Sequence, residues 1–146
     1  MTAVLSRDRR AELLAAAAHD EVVPLAERLL AAGTLGEPLV VHAPETGMVM
    51  LQVREPVAEE RFYLGEVLVT RCTVEVAGSA GWCMRGDGDR VAALAGALLD
   101  AAAAAGLPEA SDIEDVCLRV ADRRTAEDAA EWSELAPTTV KFEELT

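Results

Sequence analysis

The segment from Glu66 to Val76 constrains the fold more than any other part of this chain. Its odd positions, Val67, Val69, Arg71, Thr73 and Glu75, share one face of a strand, and Leu68, Thr70, Cys72, Val74 and Val76 share the other. The second set is almost wholly apolar and is the expected core face. Gly78-Ser79-Ala80-Gly81 follows with residues that tolerate turn conformations, so Trp82-Cys83-Met84 is expected to pair back as a hairpin. A β-branched strand that carries Arg71 on its mixed face raises the question of what the guanidinium meets. Arg61 and Arg85 belong on or beside the same sheet, where planar forks can grip a phosphate or a carboxylate. Pairing within the chain, to Glu66 or Glu75, is the simpler alternative.

Elements on either side of this strand fall into a consistent order. Ser6 is placed to cap a first helix through Ala18, with Leu13, Leu14 and Ala17 inward. Pro24 suits the first turn of a second helix, in which Leu25, Leu29 and Leu30 follow at helical spacing until Gly33. Leu39 to His42 reads as a strand, Pro44 to Gly47 as a turn, and Met48 to Val53 as the next strand. Phe62 opens the long strand, and Gly65 marks a bulge before Glu66. Asp87 or Asp89 caps a third helix with Val91, Leu94, Leu98 and Leu99 on one face, and Ala101 to Ala105 at its far end. Ser111 caps a fourth, in which Ile113, Val116, Cys117 and Val120 repeat before the pattern thins after Arg124. Thr139 to Phe142 alternates weakly, as an extended arm would. The expected architecture is a single α+β domain over 1–146. It has a helix pair (1–34), an antiparallel meander of about four strands (38–86), two further helices (87–136) and an extended tail (138–146).

Several kinds of chemistry are missing. The only lysine, Lys141, follows no glycine-rich loop, so the chain cannot form a P-loop. His19 and His42 have no Cys or His at ligand spacing, and Cys72, Cys83 and Cys117 lie on separate elements, so no zinc site or iron-sulfur cluster is expected. His42 beside Glu45 can be drawn as a general base but fits a structural histidine as well. Arg85-Gly86-Asp87 reads as a strand end followed by a helix cap. A net charge of -13 opposes nucleic acid and anionic lipid alike. Eleven of the 26 acids lie between Glu109 and Glu144, which suits either a solvated helix or a basic partner. No apolar run is long enough to span a bilayer, and the first residues lack the pattern of a signal peptide, so a cytoplasmic location is expected.

Some of these residues also form an ordered set. Ala43-Pro44-Glu45-Thr46-Gly47 before an apolar strand is followed by Glu60-Arg61-Phe62-Tyr63-Leu64-Gly65-Glu66. Val69-Thr70-Arg71-Cys72, Gly81-Trp82 and Arg85-Gly86-Asp87 then complete it. In order and spacing this resembles the PhnG subunit of the bacterial carbon-phosphorus lyase system, over nearly the whole chain and including Val140-Lys141-Phe142 near its end.

The resemblance implies a place in a multi-subunit core with PhnH, PhnI and PhnJ. There PhnG, PhnH, PhnI and PhnL together convert ATP and methylphosphonate to ribose 1-methylphosphonate 5-triphosphate. It further implies that the nucleosidase chemistry belongs to PhnI, and that the iron-sulfur cluster and S-adenosylmethionine belong to PhnJ. This chain would bind no cofactor, ATP being a substrate of the complex. No catalytic residue of this chain is assigned. The residues that the motifs and the resemblance single out as contacting phosphate or a partner are Glu45, Thr46, Gly47, Arg61, Gly65, Glu66 and Arg71. An assembly subunit, inactive when isolated, is one expectation. A share of Glu45, Arg61, Glu66 and Arg71 in a nucleotide or phosphonate site is a second. A homo-oligomeric acidic binding module without enzymatic role, dimeric when isolated, is the third.

Overall fold

The long strand is present as expected and organises the rest. A computed structural model describes residues 5–140. It contains α1 (Arg7–Ala16), α2 (His19–Ala31), β1 (Leu39–Arg54), β2 (Arg61–Val76), β3 (Ser79–Arg85), α3 (Arg90–Ala104) and α4 (Ala110–Leu135). A single 3-10 turn, Ala136–Thr138, follows. The sheet is antiparallel in the order β1-β2-β3, with β2 central. Thr70, Cys72, Val74 and Val76 are buried, as the alternation requires, but Leu68 is 47% exposed because the strand has by then run past the core.

Three strands replace the expected four. Pro44 to Gly47 is not a turn: β1 continues through it, with register shifts between Val40 and His42 and between His42 and Glu45. β1 is an edge strand, so the missing N–H of Pro44 falls where a ladder bond can be lost, and bulges absorb the irregularity. The bulge at Gly65 is present, since Leu51 pairs with Gly65 and Gln52 with Tyr63, leaving Leu64 as the extra residue. The hairpin between β2 and β3 is tighter than expected. Ala77 and Gly78 alone form the turn, both at positive φ, and Ser79 to Gly81 belong to β3.

Other boundaries shift for local reasons. α1 ends at Ala16, two residues before the expected Ala18, and Ala17 and Ala18 are extended. α2 starts at His19 because the Glu21 carboxylate accepts the Ala18 N–H at 2.6 Å, so Pro24 lies inside the helix and not in its first turn. Asp89, rather than Asp87, caps α3 by accepting from Ala92 N at 2.9 Å. The residue before α4 is Glu109, with Ser111 already inside the helix, which runs unbroken to Leu135. Leu30, which follows Leu25 and Leu29 at helical spacing, and Val91, on one face with Leu94, Leu98 and Leu99, are exposed. Lys141 and Phe142 of the expected arm lie outside the described residues, and no described helix is long and apolar enough to cross a membrane.

α3 is the centre of the core, and its alanines are the means. Ala92, Ala93, Ala97, Leu99, Ala101 and Ala102 are fully buried between the sheet and the other helices. Two glycines set the approach. A Cβ on Gly81 would meet the backbone of Ala97 and Ala101, the latter's Cα at 2.6 Å, and a Cβ on Gly96 would meet Cys83 Sγ at 2.7 Å. Small residues on the helix thus meet a glycine on the strand, so two backbones touch where side chains would ordinarily separate them. Gly81→Ala is therefore expected to destabilise the protein by about 3 kcal/mol, through overpacking against main chain that cannot rotate away. Urea unfolding of the two proteins measures this, and a difference below about 0.5 kcal/mol would contradict the contact.

Candidate functional site

Strand register brings four of the seven singled-out residues together. Glu45 lies opposite Arg71, Thr46 opposite Thr70 and Gly47 opposite Val69. Arg71 donates to Glu45 Oε1 from Nε at 3.1 Å, and its Nη2 lies 2.9 Å from the same oxygen. The arginine therefore meets Glu45, not Glu66 or Glu75. Both side chains are more than half exposed, on the rim of a shallow depression of about 210 Å³ that Met48, Val69 and Met84 also line. An exposed pair held on a single carboxylate oxygen leaves the guanidinium reachable but already partnered.

Behind the pair lies a directed chain of hydrogen bonds. The fully buried Thr70 gives its single hydroxyl proton to the Asp87 carbonyl at 2.6 Å. Thr46, 3.0 Å from Thr70, must then donate to it, and it accepts in turn from Arg90 Nε at 3.4 Å. The network ties β1 to β2 and to the start of α3. Thr46 is thus held by the fold.

The other three residues lie elsewhere. Gly65 and Glu66 stand opposite Leu51 and Met50, and Arg61 is opposite Arg54. Ten residues along one strand separate Arg61 from Arg71, roughly 33 Å at the usual rise. No single small ligand spans that distance. Arg61, Gly65 and Glu66 belong instead to an arm made of Gly47 to Arg54 and Arg61 to Val69, beyond the reach of β3, which pairs only with Thr70 to Val76. Met48, Met50 and Leu68 are exposed on one face of this arm and Val49 and Leu51 on the other, with Tyr63 and Leu64 near its tip.

Arg85 is not a surface fork. It is buried, its Nη1 donating to Ala17 O at 2.7 Å and to Leu14 O at 3.5 Å, which caps the carbonyl end of α1. Its Nη2 reaches Asp87 at 2.8 Å. The Arg85 hydrogen bond holds the Asp87 carboxyl below its ordinary range. Asp89 is lowered too, first by the Ala92 N–H it caps and then by His19, whose Nδ1 lies 2.7 Å away. His42 is exposed, and its carbonyl accepts the Cys72 thiol at 3.4 Å. Burial pushes Cys83 up to about 12 and Cys117 up to about 11, so neither is an activated nucleophile near neutral pH.

Asp100 is a charged residue of the core that none of the motifs singles out. This fully buried carboxylate accepts from Arg7 at 3.1 Å, from Arg10 at 3.4 Å and from the Trp82 N–H at 3.2 Å. Arg7 also donates to the Ala80 carbonyl. The signal was available, as a single acid within the apolar run from Val91 to Ala105. Alongside, Arg7, Glu12, Trp82 and Arg124 border a groove of about 550 Å³ between α1 and β3. Arg124 there is paired to Glu12 at 3.1 Å. Among the described residues no group of His, Cys, Asp and Glu is arranged to hold a metal ion.

The molecule is a single small α+β domain whose ionic side chains largely serve its own packing, and which presents an apolar two-stranded arm. Residues 5–146 match the family described as Phosphonate metabolism protein PhnG. The chain belongs to that family, and so has a role in phosphonate metabolism; membership implies a place in a phosphonate metabolism complex.

Two outcomes follow from the site. Thr70→Val should cost about 2 kcal/mol, because it strands the Asp87 carbonyl and the Thr46 hydroxyl, whereas Arg71→Ala should cost less than about 1 kcal/mol. Thermal unfolding distinguishes them, and equal losses would contradict the burial difference. Asp87 and Asp89 have folded pKa values below 3.8, so their contribution is present above that value and is lost as pH falls through the folded one. Between about pH 5 and pH 2, stability should therefore fall less steeply in Asp87→Asn than in the wild type. An unchanged slope would remove Asp87 from the account.

Proposed function

We propose that this chain is an assembly subunit of the carbon-phosphorus lyase core. It acts with PhnH, PhnI and PhnL in forming ribose 1-methylphosphonate 5-triphosphate from ATP and methylphosphonate, and has no catalytic site of its own. ATP is a substrate of the complex, while the iron-sulfur cluster and S-adenosylmethionine sit in PhnJ. One observation carries this reading. The arm projects roughly 25 Å as two strands, with apolar side chains exposed on both faces, Met50 at 60% and Leu64 at 63%. A two-stranded hairpin is marginal by itself in water, and contiguous apolar surface of this kind marks an interaction site. The separation of Arg61 from Arg71 weighs in the same direction, because the two guanidiniums are too far apart to share one substrate.

Co-expression with the PhnH, PhnI, PhnJ and PhnL chains tests the proposal. A stable complex containing this chain is expected, with Met50→Glu/Leu64→Glu lowering its recovery at least about tenfold and Arg71→Ala leaving both assembly and product formation intact. A wild-type chain that does not co-purify would refute the assembly role. Loss of product formation by an assembled Arg71→Ala complex would instead favour a share in the substrate site.

A further inference from the structure

The distal half of α4 is a second projection, and its charge says what kind of surface it fits. The first half of α4 is anchored, with Ile113, Val116, Cys117 and Val120 buried. From Thr125 to Leu135 every residue is exposed, so three helical turns, roughly 16 Å, extend past the core with no other described helix or strand covering them. Two lines of side chains run along this half. Glu127, Glu131 and Glu134 fall at i, i+4 and i+7 on one; Thr125, Ala129, Trp132 and Ala136 fall at i, i+4, i+7 and i+11 on the opposite one. Trp132 is 65% exposed and Leu135, toward its flank, 49%. This is the layout of an amphipathic helix whose apolar side no described residue covers.

Electrostatics narrow the occupant. Residues 125–140 contain four acids, Glu127, Asp128, Glu131 and Glu134, and no base. These acids sit in the C-terminal part of the helix, where the dipole favours cations, and the last turn has no basic residue. Only Glu127 has a partner among the described residues, Arg123 at 3.0 Å. A second copy of this chain would bring the same acids and a net charge of -13 to the same place. A partner with lysines and arginines around an apolar groove would seat Trp132 and compensate both the acids and the helix end.

We infer that the distal half of α4 docks in an apolar, basic-rimmed groove of a different protein chain, with Trp132 as its anchor. This rests on the assembly reading above and adds a second contact, independent of the arm, with a stated chemistry. Binding is then expected to weaken with salt, because part of it is attraction between exposed charges.

The test uses the full chain co-expressed with PhnH, PhnI, PhnJ and PhnL. Trp132→Ala/Leu135→Ala should lower recovery in the complex at least about tenfold, and Trp132→Phe should retain most of it. Glu127→Gln/Glu131→Gln/Glu134→Gln should bind more weakly at about 50 mM salt and lose less than the wild type on transfer to about 500 mM. Circular dichroism of the isolated variants should match the wild type, since none of these side chains is buried.

If the wild type assembles and the Trp132 variants assemble equally well, the docking of α4 is refuted while the assembly role stands. If the wild type does not assemble, the assembly role falls and this contact with it. An isolated wild-type dimer that the same variants convert to monomer would identify a second copy as the occupant and overturn the proposal.

Discussion

The buried Asp100 carboxylate is the interaction on which the domain's arrangement most depends. It lies on α3, receives Arg7 and Arg10 from α1, and accepts the outward N–H of Trp82 from β3. Arg7 closes the circuit by donating to the Ala80 carbonyl. The free edge of β3 would otherwise present unpaired main-chain groups, and this ionic pair takes the place of a further strand. A buried acid is costly when unpaired, so α1 is held in place by the requirement that its arginines stay with Asp100. Gly81 depends on the same geometry. It lies between Ala80 and Trp82, and the absence of its Cβ lets α3 come close enough for Asp100 to reach the strand.

Closing one edge has a consequence at the other. Among the described residues β1 has no comparable cover, and the arm leaves both its own edges unpaired over Gly47 to Arg54 and Arg61 to Val69. A chain that satisfies β3 so thoroughly and leaves the arm bare is asymmetric in a way that sequence patterning explains. The residues facing α3 are small or apolar on one side only, whereas the arm carries apolar residues on both. Alternation signals a strand with one wet face; Met48-Val49-Met50-Leu51 signals a strand covered twice. Within this chain nothing described covers it.

Much of the fold could be read from periodicity. The core face of β2, the Ser6 cap, the glycine at the end of α2 and the bulge at Gly65 all follow from local chemistry that tertiary contacts reinforce. What escaped was non-local. Pro44 to Gly47 carries every mark of a turn, yet β2 opposite it continues, and pairing along sixteen residues outweighs the local preference. Arg71 faces Glu45 rather than Glu66 because register, not sequence distance, decides which side chains are opposite. Of the candidate site, Glu45, Thr46, Gly47 and Arg71 were legible as a motif, and one long strand opened by Phe62 already sets Arg61 apart from Arg71, but the pairing of Glu45 with Arg71 depends on the register of β1. Asp100 escaped because its partners lie some ninety residues away, at Arg7 and Arg10.

The charge of the chain fits this division between a closed centre and bare extremities. Bare apolar elements invite self-association, and an arm with open edges invites it more strongly. A net charge of -13 opposes that outcome by making each copy repel the next, most of all along α4, where acids and the exposed Trp132 share one helix. The same charge attracts a partner of opposite sign. Acidity, which at first indicates only solubility, thereby distinguishes a foreign surface from a second copy, and it does so at the element where the apolar pattern alone would accept either.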